Sequence, residues 1–246
     1  MQRSKCKIPV YIINVPVELK RYSLIIDKIR NLFDTIHHIT PLPIDHIEVS
    51  KRIVSNRLTV KTQKEQSNRL AFRDAHIDAK RRGYSKYIIF EDDAEPVTSE
   101  DVLKQLHTLD NFLPSDFQIC YLGCYIRKKN LKFIKKVTPE ALEIIHCKDF
   151  NIWGAHAIIY NGKYCDKYIK EFDATTAMLA DHIVHTYFMD AGRNFISNPM
   201  IFLQDHRSYS NNTHGSGMHG SFPFKEMERN NRKFITDAVV KKLTLK

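Results

Sequence analysis

Glycine is scarce here, eight residues in 246, and none falls in a G-x-G-x-x-G or a P-loop pattern. That excludes a dinucleotide Rossmann site and a P-loop nucleotidase. No run of about 18 uncharged apolar residues exists, so no membrane-spanning helix is expected. The stretch after the basic start, Ile8 to Val17, is too short and too proline-containing for a signal peptide, and none is read. The five cysteines are odd in number and scattered. Cys120 and Cys124 have no second such pair to complete zinc-ribbon spacing, so reduced thiols in a cytoplasmic protein are expected. No H-E-x-x-H, helix-turn-helix, zinc-finger or aromatic RNA-binding signature is present. Internal repeats and low-complexity segments are absent too.

What is present is a chain that is 43% hydrophobic, enough to bury a sizeable core, with a net charge of +10. The charge asks for an anionic partner, or describes a basic solvated surface. Its clusters are Lys80-Arg81-Arg82, Arg127-Lys128-Lys129, Lys135-Lys136 and Lys241-Lys242. The phosphates of a substrate, an acidic glycan or a membrane face suit it better than specific nucleic acid.

The most informative stretch is Tyr87-Ile88-Ile89-Phe90-Glu91-Asp92-Asp93. Its apolar run reads as a strand buried on both faces, with three carboxylates where it leaves the core. Adjacent like charges repel, and oxygen-only ligands suit a hard divalent cation, Mn²⁺ or Mg²⁺. An ordinary acidic turn is the plain alternative. Around this stretch, Pro9 to Asn14 reads as a first strand, followed by a helix carrying Tyr22, Ile25, Ile26, Ile29, Leu32 and Phe33. Residues 36–47 suit a second strand and a loop. Glu65 to Arg82 reads as a helix ending at Gly83. Thr98, with Asp101 three residues on, starts a helix through Leu109. Phe117 to Leu122 is a buried strand, and Lys132 to Cys147 reads as surface strands. Helical spacing returns at Tyr164 to Phe172 and again at Met178 to Phe188. Phe195 to Phe202 reads as one late strand interrupted by Pro199. Strands alternating with helices imply an α/β sheet, whose ligands bind beyond the carboxyl ends of the strands. Asn14 and Glu91-Asp92-Asp93 both stand at such ends.

These pieces resemble glycosyltransferase family 25, over about Pro9 to His214. Tyr11-Ile12-Ile13-Asn14-Val15-Pro16 with Arg21 is similar to the family's opening strand and I-N-L segment. Glu91-Asp92-Asp93 matches its E-D-D motif, and Trp153-Gly154-Ala155-His156-Ala157-Ile158-Ile159 resembles its W-G-x-x-x-Y-I-I. Leu179-Ala180-Asp181-His182 resembles its P-x-D. Two departures stand out: no proline precedes Asp181, and Arg69-Leu70-Ala71-Phe72-Arg73 lies where the family carries a Ser-His pair. The resemblance implies a GT-A-like single domain over residues 1–224, with a mixed, mostly parallel sheet flanked by helices. It also implies a divalent metal, a nucleotide-sugar donor and inversion at the anomeric carbon. Residues 225–246 read as a basic tail or helix, able to pack on the domain or to lie peripherally on anionic lipid.

The expected roles follow. Glu91 and Asp93, two apart on extended backbone, would hold the metal. Asp92, Asn14 and Arg21 would contact the nucleotide. Asp181 would act as the base. A Gly-containing loop, Asn212 to Gly217, would supply His214 as a third metal ligand, with His206 and His219 as rivals. The donor would be a UDP-sugar, with galactose the sugar, and the acceptor a glycan or protein hydroxyl. Trp153 could stack on an acceptor sugar or fill core, and His156 reads as a core histidine. Two other readings stay open. One is a metal-dependent hydrolase built on Asp181, His182, His185, Asp205 and His206. The other is a non-catalytic basic binding protein on a degenerate transferase fold.

Overall fold

The computed structural model describes residues 4–14, 19–56, 60–97, 99–126, 128–145, 152–174, 178–189 and 192–204. Its frame is one eight-stranded sheet. In chain order the strands are β1 (Val10–Ile13), β2 (Ile36–Ile39), β3 (Lys86–Glu91), β4 (Ala94–Pro96), β5 (Phe117–Ile126), β6 (Ile134–Thr138), β7 (Ala141–Ile144), β8 (Ile152–Asn161), β9 (Arg193–Ser197) and β10 (Phe202–Gln204). The large sheet is ordered β2-β1-β3-β8-β5-β9-β7-β6, and β4 pairs with β10 in a separate two-stranded ribbon. β1 lies parallel to β2 and β3, and β5 parallel to β9. β8 runs against both β3 and β5, and β7 runs against β9 and β6. Six strands therefore point one way and two the other, the mixed, mostly parallel α/β sheet expected from the alternation of elements.

The helices are α1 (Leu19–Ile29), α2 (Ile47–Asn56), α3 (Val60–Arg81), α4 (Ser99–Phe112), α5 (Cys165–Ala174) and α6 (Ala180–Tyr187). Side-chain alternation along the strands divides the core in two. Val10, Ile12, Ile88 and Phe90 pack with Ile25 and Ile29 of α1 and with Val102 and Leu106 of α4. Tyr11, Ile13, Tyr87 and Ile89 pack with Phe72 of α3, Phe172 of α5 and Ile183 of α6. Tyr87 to Phe90 have no solvent exposure, which a strand covered by helices on both faces requires. None of the described helices is long and apolar enough to cross a membrane.

Several local expectations meet their outcome here. α3 ends as read: Gly83 takes φ +69, and Tyr84 and Gly83 donate to the Ala79 and Lys80 carbonyls. That is a left-handed glycine cap, which a Cβ would disfavour. The helix begins earlier than Glu65, at Val60, and α2 has no counterpart among the expected elements. The late strand is two strands in different sheets, because β9 pairs with β5 and β7 while β10 pairs with β4. β6 and β7 form where surface strands were expected, but Leu142 and Ile144 are buried because β7 is interior to the sheet. The proposed domain boundary at 224, the tail and Thr98 lie outside the described residues.

Gly123 joins the sheet to the small ribbon. A Cβ there would lie 2.0 Å from the Phe202 carbonyl oxygen and 2.5 Å from His156 Nε2. The register of β5 against β8 shifts on both sides of it, as irregular strands do where another backbone comes close. Gly123→Ala is expected to lower stability by about 1–3 kcal/mol through overpacking. The check is a denaturant midpoint that falls while the slope of the transition is unchanged.

Candidate active site

The parallel strands β1 and β3 end side by side, with Ile13 opposite Glu91. Beyond that edge the acids separate according to the face each one meets. Glu91, the last residue of β3, shares strand parity with Tyr87 and Ile89 and turns toward α3. There Asn68 donates to its Oε1 at 3.3 Å. The extended backbone expected to carry all three acids stops at Glu91, and Asp92 and Asp93 form a tight turn leading into β4. Asp92 therefore lies toward α1. It accepts from Asn14 Nδ2 at 2.7 Å and pairs with Arg21 Nη2 at 3.0 Å. Asp93 accepts from Gln204 Nε2 of β10 at 2.9 Å, and Arg21 Nη2 stands 3.8 Å from it. Gly123 and the β4–β10 ribbon thus hold the chain that steadies Asp93.

Arg21 is no exposed helix arginine. Its side chain is 11% exposed and bridges two acids of the triplet. It covers the Asp92 side and leaves Glu91 to Asn68. Neutralisation is correspondingly uneven. Burial, then the neighbouring Asp93 and Asp181 carboxylates, push Glu91 up to about 8. Burial also raises Asp93, to about 6, against the pull of the Gln204 hydrogen bond. Asp93 Oδ1 is buried with no hydrogen-bond partner among the described residues.

Asp181 lies in the first turn of α6, on the same side of the sheet as Glu91, and the two carboxylates feel one another. Burial raises its pKa, while the adjacent His182 works in the opposite direction. One oxygen accepts from the His182 main-chain N–H at 2.9 Å, which satisfies a donor of the helix N-terminus. The structure therefore brings Asn14, Arg21, Glu91, Asp92, Asp93 and Asp181 to one edge of the sheet. Asn68 and Gln204 belong to the same site and carried no sequence signal: each is a lone amide outside any motif. Tyr160 of β8 also feels the Glu91 charge, and its hydroxyl is buried without a partner among the described residues.

An all-oxygen donor set containing a buried, unsatisfied carboxylate oxygen fits a hard divalent cation. Among the described residues no group of three or more His, Cys, Asp or Glu side chains is arranged to hold a metal unaided. That applies equally to Asp181, His182 and His185, the core of the hydrolase reading. Asp205, His206, His214 and His219 lie outside the described residues. His156 is buried in the core beside Tyr125, with ring centroids 6.2 Å apart.

No protein-family model matches the chain, and no curated protein sequence matches it. Among solved structures it is similar to a mannose-1-phosphate geranyltransferase from Thermus thermophilus. The identity is 10% and the TM-score 0.46, over 81% of this chain and 76% of that one. It is also similar to a CMP:2-keto-3-deoxy-manno-octonic acid synthetase complexed with CTP. There the identity is 10% and the TM-score 0.45, over 79% of this chain and 92% of the other. These are likenesses of outline and say nothing about chemistry.

The raised carboxyls fix the sign of a pH effect in the metal-free protein. Unfolded carboxyls titrate near 4, so the native state binds more protons from there up to about 8 for Glu91. Their contribution to stability therefore falls as pH rises through that window. His185, whose pKa burial lowers, contributes with the opposite sign below its ordinary value. The diagnostic is thus the comparison with Glu91→Gln, measured by thermal melts in chelator from about pH 5 to about pH 8.5. The variant should gain stability relative to the wild type as pH rises. A difference that stays constant contradicts the raised Glu91.

Proposed function

We propose that this chain is a GT-A-type glycosyltransferase related to family 25, transferring a sugar from a nucleoside-diphosphate donor to a glycan or protein hydroxyl with inversion. The observation that supports this most is the convergence of Asn14, Arg21, the acidic triplet and Asp181 beyond the carboxyl ends of β1 and β3, where open α/β sheets take their ligands. The family resemblance favours UDP as the nucleotide and galactose as the sugar.

Glu91 and Asp93 would hold Mn²⁺ or Mg²⁺, with His214 as a further ligand. When bound, that cation offsets the negative charge that accumulates on a departing diphosphate. The chain's own residues do the rest. Asn14 orients Asp92 by its 2.7 Å hydrogen bond, leaving that carboxylate able to accept from a ribose hydroxyl. Arg21 stands where a guanidinium can exchange a carboxylate partner for a phosphate oxygen. Asp181 takes the proton of the acceptor hydroxyl as its oxygen attacks the anomeric carbon. The bond from that carbon to the diphosphate oxygen breaks on the opposite face, and the electron pair leaves with the diphosphate. A carboxylate whose pKa burial raises above its ordinary value suits this proton transfer.

Calorimetric titration of the full chain with UDP-, GDP- and CMP-sugars, with and without Mn²⁺, tests the reading. One UDP-sugar is expected to bind, and to depend on the metal. Failure of every nucleotide sugar to bind under either condition would reject the transferase. In a transfer assay, Asp181→Asn should bind donor normally and lose ~10²–10⁴-fold in turnover. Near-normal turnover would remove Asp181 from the role of base.

A further inference from the structure

Arg69 heads the fully buried side chains by size, with 0% exposure. None of its three guanidinium nitrogens has a hydrogen-bond partner among the described residues. A guanidinium carries five N–H donors and keeps its charge at neutral pH. Enclosing one without an acceptor is strongly unfavourable. Burial, with Arg52 close by, lowers its pKa to about 10, which still leaves it charged at pH 7, and Asp173 works the other way.

Among the described residues, the neighbours do not supply the missing acceptor. Arg52 of α2 donates to both the Asp173 carboxylate and, at 2.9 Å, its main-chain oxygen. Arg73 of α3 reaches the same carboxylate at 3.2 Å and is also paired with Glu48 and Asp74. One aspartate at the end of α5 thus serves two guanidinium groups, and the third has no match among the described residues. Solvent reaches the outer part of this cluster, where the Asp173 side chain is 51% exposed, Arg52 17% and Arg73 13%. Arg69 lies at the inner end. Asn68, one residue before Arg69 on α3, donates to Glu91, so the same turn of α3 serves the acidic site and the cluster. Asp181 follows Asp173 in the chain at the head of the next helix.

We propose that Arg69, with Arg52 and Arg73 at its mouth, forms an oxyanion subsite between α2, α3 and α5 that takes the carboxylate or phosphate of an acidic acceptor sugar. The acceptor role rests on the transferase reading, whereas oxyanion binding does not. Carboxylate and phosphate share the paired oxygens that a guanidinium fork matches, and the two are told apart by titration.

The full chain, free of metal and nucleotide, is titrated with glucuronate, glucose 6-phosphate and glucose, and followed by calorimetry and thermal melts. Glucuronate or glucose 6-phosphate is expected to bind and raise the Tm, and whichever binds more tightly names the group. Glucose should do neither. Arg69→Met should abolish the shift. Arg69→Lys, which keeps the charge and loses the fork, should weaken binding by about tenfold or more, and it carries the comparison if the methionine variant does not fold. The subsite is overturned if neither acidic sugar outperforms glucose, or if the variants keep wild-type affinity. Wild-type donor binding is measured separately. Acidic-sugar binding without any donor binding upholds the subsite and overturns its assignment to an acceptor.

Discussion

A carboxyl group removed from water must be protonated, paired or ligated. The chain sets Glu91 and Asp93 at the lip of a strand that has no solvent face, and it answers their charge incompletely. Asp92 takes the nearer bond from Arg21 together with the amide of Asn14. Among the described residues, Asp93 is left with one amide and the longer reach of the same arginine, and Glu91 with a single amide. The outcome is a proton affinity raised further at Glu91 than at Asp93. A residual demand for positive charge is concentrated on the side facing α3 and α6. The placement of the other polar groups follows from that demand.

The sheet makes this asymmetry possible. Strand alternation commits Glu91 to the face covered by α3, α5 and α6, while the turn after it delivers Asp92 to the face covered by α1. Two helices that never touch the same strand face therefore attend to adjacent acids. The small ribbon adds a third support, since β10 brings Gln204 to Asp93 only because Gly123 leaves room for its backbone. Positions with little local distinction thus govern the geometry of the acidic edge.

Much of this was legible in the amino-acid order. Tyr87 to Phe90 announce a doubly covered strand by unbroken apolarity, and Gly83 announces the end of α3 by the conformation only it adopts easily. Asn14 and the acids were placed by a general rule of α/β sheets, and Asp181 by its resemblance to a motif. What escaped notice depended on distant partners. The direction of β8 and the split of residues 193–204 into two sheets are decided by neighbours remote in sequence. α2 is a short helix of mixed composition, and the side chain at its start that accepts the Glu48 N–H is His46, not one of the usual capping residues. Arg69 registered only as a departure from a family pattern, because burial of an arginine is a property of packing and leaves no periodic trace.

The position of β8 also bears on how the molecule is made. It lies between β3 and β5, although both precede it in the chain. During synthesis, with β8 and β9 still to come, β3 therefore has a bare edge and β5 has neither of its sheet neighbours. The gap closes only when the segment ending at Asn161 has left the ribosome and slotted between them. Such distant pairing slows assembly and exposes unsatisfied strand edges in the meantime. Truncation after β5 and before that segment would leave nascent chains with a bare β3 edge and an unpaired β5, both open to aggregation.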